Sequence, residues 1–105
     1  MVQVITDVMT FRAESAWGAR DLLNLDGVTA RLHWTDQPYV WHINDGAELF
    51  IVLDGAVDMK FRKGGQEHSV RLAASDIFIA HTGDEHVAHP VGEARILVVE
   101  RDGSV

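Results

Sequence analysis

From residue 28 onward, short runs of Val, Ile, Leu and Phe alternate with turns that contain glycine. The turn signals are Asp26-Gly27, Asp45-Gly46, Asp54-Gly55, Lys63-Gly64-Gly65, Thr82-Gly83 and Val91-Gly92. Such spacing is typical of an antiparallel all-β sandwich or barrel. We predict strands near residues 29–34, 40–43, 48–53, 56–62, 68–72, 76–80, 85–89 and 95–100.

The apolar pattern differs among these strands in a way that predicts their positions. Residues 56–62 alternate strictly between apolar and polar side chains, which indicates a strand with one buried and one wet face. Residues 49–53 (LFIVL) and 96–99 (ILVV) are apolar on both faces. We therefore expect these two to be central strands, or strands that a second subunit covers.

The first 27 residues carry weaker signals and are predicted to form an N-terminal arm with strands, ahead of a barrel at residues 28–104. Residues 2–8 are compatible with an edge strand, and residues 10–16 with a helical turn capped by Thr10 or Ser15. Residues 20–25 are read as a strand. Little helix is expected anywhere else.

Composition limits the classes of protein that fit. The chain has 105 residues, 47% of them hydrophobic, which suits a single domain that gains from a partner subunit, and we expect a homodimer. Its net charge is −7 and its basic residues are scattered, so nucleic acid is not an expected partner. The absence of cysteine excludes thiolate metal ligands. Without a signal-peptide pattern or a long apolar run, we expect no membrane association and a cytoplasmic location.

Four polar residues interrupt the apolar hairpins and are candidates for a site. His42 and Asn44 share one strand face because they lie two residues apart, and Glu48 returns beside them after the Asp45-Gly46 turn. His86 opens a later strand. If the four converge, two imidazoles and a carboxylate with open positions suit a divalent ion such as Mn, Fe, Ni, Cu or Zn.

Two segments resemble the sequence motifs of the cupin family. HINDGAELFIVLDG resembles the first motif through His42, Asn44, Glu48 and Gly55, and SDIFIAHTGDEHVAHP resembles the second through Asp76, Gly83 and His86. The resemblance covers about three-quarters of the chain. It implies a small single-domain cupin, an antiparallel β-barrel of the double-stranded β-helix or jelly-roll type.

The same resemblance implies a metal shell of His42, Asn44, Glu48 and His86, with departures from the motifs. Asn44 stands where the first motif has its second histidine, and Ser75, His81 and Pro90 replace motif residues in the second. A carboxamide coordinates only through its weaker carbonyl oxygen. We therefore expect reduced metal affinity and low occupancy, by analogy with the roughly 10–100-fold losses that outer-shell changes cause.

Further residues are expected around the ligand pocket. Phe50 and Val52 share the strand face of Glu48, and Trp41 and His33 lie near the first motif. Glu48 and His81 are the candidates for acid–base catalysis, His81 because it lies across a turn from His86. The other reading of His81 is an exposed turn residue.

Two functions fit this pocket. The first is an enzyme that uses a labile divalent metal for isomerase, dioxygenase or lyase chemistry on a small oxygenated molecule. The second is a metal-free small-ligand-binding or sensor protein, in which water and hydrogen bonds satisfy His42, Glu48 and His86. The family's breadth of activities leaves substrate identity open.

Overall fold

The computed structural model describes residues 1–104 and consists almost entirely of β-strands. The strands are β1 Gly18–Leu25, β2 Val28–Thr35, β3 His42–Ile43, β4 Glu48–Asp54, β5 Ala56–Lys63, β6 Gln66–Ala73, β7 Ile77–Ala80, β8 Glu85–Pro90 and β9 Ala94–Arg101. They form two antiparallel sheets, ordered β1-β2-β9-β4-β7 and β3-β8-β5-β6. The predicted all-β antiparallel class is confirmed.

Side chains from both sheets meet in one core. β4 and β9 contribute Phe50, Val52, Ile96 and Val98, and the second sheet contributes residues of β5, β6 and β8. As predicted from their uninterrupted apolar character, β4 and β9 are central: β4 lies between β9 and β7, and β9 lies between β2 and β4. The polar cluster at the start of β4 therefore rests on a rigid, packed sheet.

The N-terminal segment does not form the strand predicted at residues 2–8. Residues 1–7 lack regular secondary structure, and Val2 and Val4 are exposed. The only helical turn among the described residues is a 3₁₀ turn at Val8–Thr10, earlier than the predicted 10–16. Arg95 attaches this segment to the sheet, because its guanidinium donates to the Phe11 carbonyl oxygen and to Asp54, each at 2.7 Å.

Strand β3 is shorter than the predicted 40–43. The carbonyl oxygen of Val40 bonds to Nδ1 of the His42 side chain, at 3.0 Å, instead of to a neighbouring strand. This hydrogen bond fixes the orientation of the His42 imidazole. No helix among the described residues is long and apolar enough to cross a membrane.

Candidate metal centre and cavity

Three of the predicted ligands converge at one end of the space between the sheets. β3 pairs with β8 so that His42 lies directly opposite His86, with ring centroids 4.3 Å apart. Glu48 reaches them from the other sheet, and its Oε1 lies 3.3 Å from Nε2 of His86. One ligand atom from each residue lies within 4.8 Å of the others. The sequence-distant His86 thus pairs with His42 on one sheet, and Glu48 faces both from the other sheet.

The hydrogen bond of His42 determines which of its nitrogens is available. Only an N–H group satisfies a carbonyl oxygen, so Nδ1 carries the proton and donates to Val40. Nε2 then presents a lone pair. This arrangement, with a backbone carbonyl fixing the tautomer, is the usual support of a metal-binding histidine.

Glu48 is held as a carboxylate. Its burial by itself would raise its pKa, but hydrogen bonds from His86 and Asn44 outweigh burial, and the pKa of Glu48 lies below its ordinary value. A buried anion beside two imidazoles is a favourable partner for a cation. The site therefore combines two imidazole rings with one negatively charged oxygen donor.

Asn44 is fully buried and fixed by its backbone. Its N–H donates to the Asp84 carbonyl oxygen and its own carbonyl accepts from the Gly83 N–H, both at 2.8 Å. Its Nδ2 donates to Oε1 of Glu48 at 3.1 Å. Asn44 therefore joins the segment between β3 and β4 to the β7–β8 turn and orients the carboxylate.

Two polar atoms of this cluster support a fit to an additional polar species. Within residues 1–104, Oδ1 of Asn44 and Nδ1 of His86 are buried and have no hydrogen-bond partner. Orphaned buried atoms next to a cluster of ligands commonly mark the place of an ion or ordered water. The residues present thus fit a divalent ion bound by two histidines and one carboxylate.

A cavity of about 140 Å³ opens beside this cluster. Its lining comprises Trp17, His33, Tyr39, His42, Glu48, Phe50, His86, Ala88, Val98, Glu100 and Ser104. Tyr39 packs edge-on between the ring of His42, at 5.3 Å, and the indole of Trp17, at 5.2 Å. One wall is therefore aromatic, and the end of the cavity is formed by the candidate ligands.

The structure separates the predicted pocket residues into two groups. Phe50 and His33 line the cavity, and burial lowers the pKa of His33 and favours its neutral form. Val52 is completely buried in the core one layer deeper. Trp41 lies elsewhere, with the Arg62 guanidinium 3.9 Å above its ring. Neither Val52 nor Trp41 lines the cavity, which corrects both pocket assignments.

His81 does not reach the candidate site. Its side chain is exposed, and its backbone N–H donates to Oδ2 of Asp84 at 2.8 Å, which closes the turn before β8. His81 is absent from the cavity lining. The structure thus places His81 in an exposed turn outside the cavity.

Trp17 was missed because nothing in its local sequence marks it. It is a bulky residue with a φ of +64°, in a region that such side chains rarely enter and that costs about 1–3 kcal/mol. Its indole N–H donates to the Gln37 carbonyl oxygen, and its own carbonyl lies 3.0 Å from Nδ1 of His33. These bonds hold the strained residue where its ring closes the cavity.

Glu100 was also missed, since it ends an apolar run that reads as core. It lies on β9 directly opposite Glu48 on β4. Burial and the neighbouring charge of Glu48 raise the pKa of Glu100 to about 7. The sequence did contain a signal for this position. Glu100 follows Ile96 and Val98 at two-residue steps, so its side chain lies on the same inward face of the strand.

Solved cupin structures share this architecture. A cupin-2 domain protein from Shewanella frigidimarina matches with a TM-score of 0.76 and 24% identity, covering 90% of this chain and 88% of its own. A cupin superfamily protein from Desulfitobacterium hafniense matches at 0.78 and 14% identity, covering 96% and 92%. The cupin fold expected from the two motifs is confirmed.

A larger enzyme contains the same fold. Hydroquinone 1,2-dioxygenase in complex with Fe³⁺ matches with a TM-score of 0.77 and 16% identity, over 87% of this chain and 29% of its own. No family model matches the sequence. No curated protein matches it either.

Proposed function

We propose that this cupin-fold protein binds a divalent first-row transition metal through His42, Glu48 and His86 and acts on a small oxygenated molecule. The observation that carries the proposal is the convergence of three ligand atoms within 4.8 Å at the end of a cavity. Two imidazoles and one carboxylate with open positions suit Mn, Fe, Ni, Cu or Zn. The iron-bound dioxygenase of the same fold supports metal use in such a barrel.

The residues of the chain prepare the site for the ion. His42 presents its Nε2 lone pair because Val40 fixes its tautomer, and Glu48 is anionic because Asn44 and His86 stabilise its charge. A bound ion would polarise a substrate oxygen or acidify a bound water. Phe50, Ala88 and Val98 give the cavity apolar walls.

The reaction classes in this proposal are isomerisation, oxygenation and bond cleavage next to an oxygen. For each class, an ion held by His42, Glu48 and His86 would supply Lewis-acid activation of a substrate oxygen. Asn44 is a weak ligand or a positioning residue in this scheme. Its amide nitrogen already bonds to Glu48, so only its unpartnered Oδ1 is free to coordinate.

A metal-free ligand-binding or sensor protein is the second candidate. The observation that favours it is the state of Glu48, whose Oε1 already has both Asn44 Nδ2 and His86 Nε2 as partners. In that case the cluster stabilises itself through hydrogen bonds, and the cavity binds a small molecule without turnover.

A cytoplasmic homodimer completes the proposal. Ile77 and Ile79 are exposed on the edge strand β7, and Leu23 and Leu25 are exposed on the opposite edge strand β1. Apolar side chains on unpaired sheet edges favour burial against a second copy. Equilibrium sedimentation tests this part, since a monomer at micromolar concentration would contradict it.

Cobalt substitution tests the metal proposal. Addition of Co²⁺ to chelator-treated protein should produce visible absorption bands from a low-symmetry nitrogen and oxygen site. His42→Ala and Glu48→Ala should abolish the bands. The matched control is His68→Ala, which removes an exposed histidine on β6 and should leave them unchanged. Bands that survive both site variants would contradict the proposal.

A further inference from the structure

The cavity contains two carboxylates that face each other across a strand pair. Glu48 on β4 and Glu100 on β9 are register partners, and both line the cavity. Glu48 belongs to the candidate metal site, but the metal proposal gives Glu100 no role. Its presence places a second carboxyl group on the cavity wall.

No basic side chain balances these charges from within the cavity. None of the described residues that line it is Lys or Arg. Arg31 is a nearby cation on β2, but it is engaged by Asp21 at 2.9 Å and by Asp102 at 3.5 Å. Sites for carboxylates or phosphates generally supply arginine or lysine, and this cavity does not.

A bound divalent ion would not change this preference. The two positive charges of the ion would be balanced by the carboxylates of Glu48 and Glu100, because the imidazoles are neutral ligands. The cavity would then have no net positive charge to attract an anion. Glu100 would remain free to accept hydrogen bonds, since the cluster of ligand atoms comprises only His42, Glu48 and His86.

The cavity has room for about one ring of a ligand. Its volume of about 140 Å³ is close to that of the roughly 150 Å³ engineered cavity that binds benzene. Trp17, Tyr39 and Phe50 offer ring surfaces to such a molecule. The aromatic walls and the two carboxyl groups together favour a small ligand with a largely apolar skeleton and a polar group at each of two positions.

We propose, on the basis of the proposed function, that the substrate is an uncharged hydroxyl-bearing molecule of about one ring. One oxygen faces the His42, Glu48 and His86 cluster, and a second hydroxyl donates to Glu100. Glu100 is thus the residue that determines specificity: it binds the hydroxyl and repels carboxylates and phosphates of the same size.

Two probes of one ring size test this selection. Resorcinol is neutral and has two separated hydroxyls, whereas benzoate is an anion. Chemical-shift titrations of ¹⁵N-labelled, metal-free protein at pH 8 would give both dissociation constants and report on the Trp17 indole. Resorcinol should bind at least about tenfold more tightly than benzoate, given the strength of hydrogen bonds to charged acceptors.

Substitution of Glu100 should remove the selection. Glu100→Gln keeps the shape but not the charge, so resorcinol should bind about tenfold more weakly and benzoate more tightly. The matched control is Glu67→Gln, an exposed glutamate on β6, which should change neither constant. Equal affinities in the wild type, or a Glu100→Gln variant that binds both probes like wild type, would overturn the inference.

The metal-free design separates this inference from the metal proposal. If resorcinol is preferred in a Glu100-dependent way but Co²⁺ does not bind, the metal proposal fails and the ligand class stands. If Co²⁺ binds but benzoate equals resorcinol in affinity, the inference fails and the metal proposal stands.

Discussion

Asn44 donates a hydrogen bond from Nδ2 to Oε1 of Glu48 at 3.1 Å, inside a cluster that also contains His42 and His86. The same oxygen lies 3.3 Å from Nε2 of His86. Asn44 therefore stands where it orients the candidate carboxylate ligand but supplies no nitrogen donor of its own. The strength of metal binding should depend directly on this residue.

Replacement of Asn44 by histidine should strengthen metal binding. An imidazole at this buried position adds a nitrogen ligand to two histidines and a carboxylate, and we expect the affinity for Ni²⁺ or Zn²⁺ to rise by about tenfold or more. Competition with a coloured chelator measures the change. Asn24→His, near the end of β1, is the control that adds a histidine away from the site. An unchanged affinity in Asn44→His would show that the four side chains do not act on one ion.

Glu100 should make stability fall as the pH rises. Its pKa is raised to about 7 in the folded protein against an ordinary value of 4.5, so the folded state holds the proton more tightly than the unfolded state between these values. Folding is thus favoured at low pH, and the advantage is lost as pH rises through about 7. Because Glu100 is half-exposed, solvent screens its charge, and the ionised carboxylate should destabilise the folded protein by only about 1 kcal/mol at pH 8.

Glu100→Gln should remove this dependence. In urea unfolding of metal-free protein, the variant should be more stable than wild type by about 1 kcal/mol at pH 8 and nearly equal to it at pH 4.5. Glu67→Gln again serves as the control. A difference that is constant with pH would show that the charge of Glu100 is not responsible.

Gly55, in the connection between β4 and β5, should be sensitive to substitution. Its φ is +81°, and a Cβ there would collide with the carbonyl oxygen of Glu93 in the facing turn. Gly55→Ala should cost about 3 kcal/mol or more, because a left-handed conformation alone costs an L-residue about 1–2 kcal/mol.

Gly27→Ala separates the cost of the left-handed backbone from the cost of the steric collision. Gly27 has a similar φ of +88°, but a Cβ there meets nothing within 4 Å. Gly27→Ala should therefore lower the free energy of unfolding only by the backbone cost, about 1–2 kcal/mol. Urea unfolding of both variants measures the difference, and equal losses would contradict a close approach at Gly55.

The sequence predicted the parts of the fold that depend on local pattern. Alternation and Asp-Gly turns predicted most strands within a few residues, and the unbroken apolar runs at residues 49–53 and 96–99 correctly indicated central strands. The tight turn at Asp45-Gly46 predicted that His42 and Glu48 come together by strand pairing. They do come together, but across the two facing sheets rather than as paired neighbours.

The remaining features depend on contacts between distant segments. Trp17 reaches the cavity through a left-handed backbone conformation that no residue preference signals. Glu100 faces Glu48 only because β9 pairs with β4, more than forty residues away in the chain. Residues 2–8 alternate like a strand but have no neighbouring strand to pair with, which their sequence alone does not reveal.

Elemental analysis is the most direct test of the metal proposal. The protein should be purified without an affinity tag, dialysed against micromolar Mn, Fe, Ni and Zn, and freed of unbound ions. The wild type should then retain a transition metal that falls to background in His42→Ala and Glu48→Ala but not in His68→Ala. A wild-type protein that remains empty with all four metals would contradict the account.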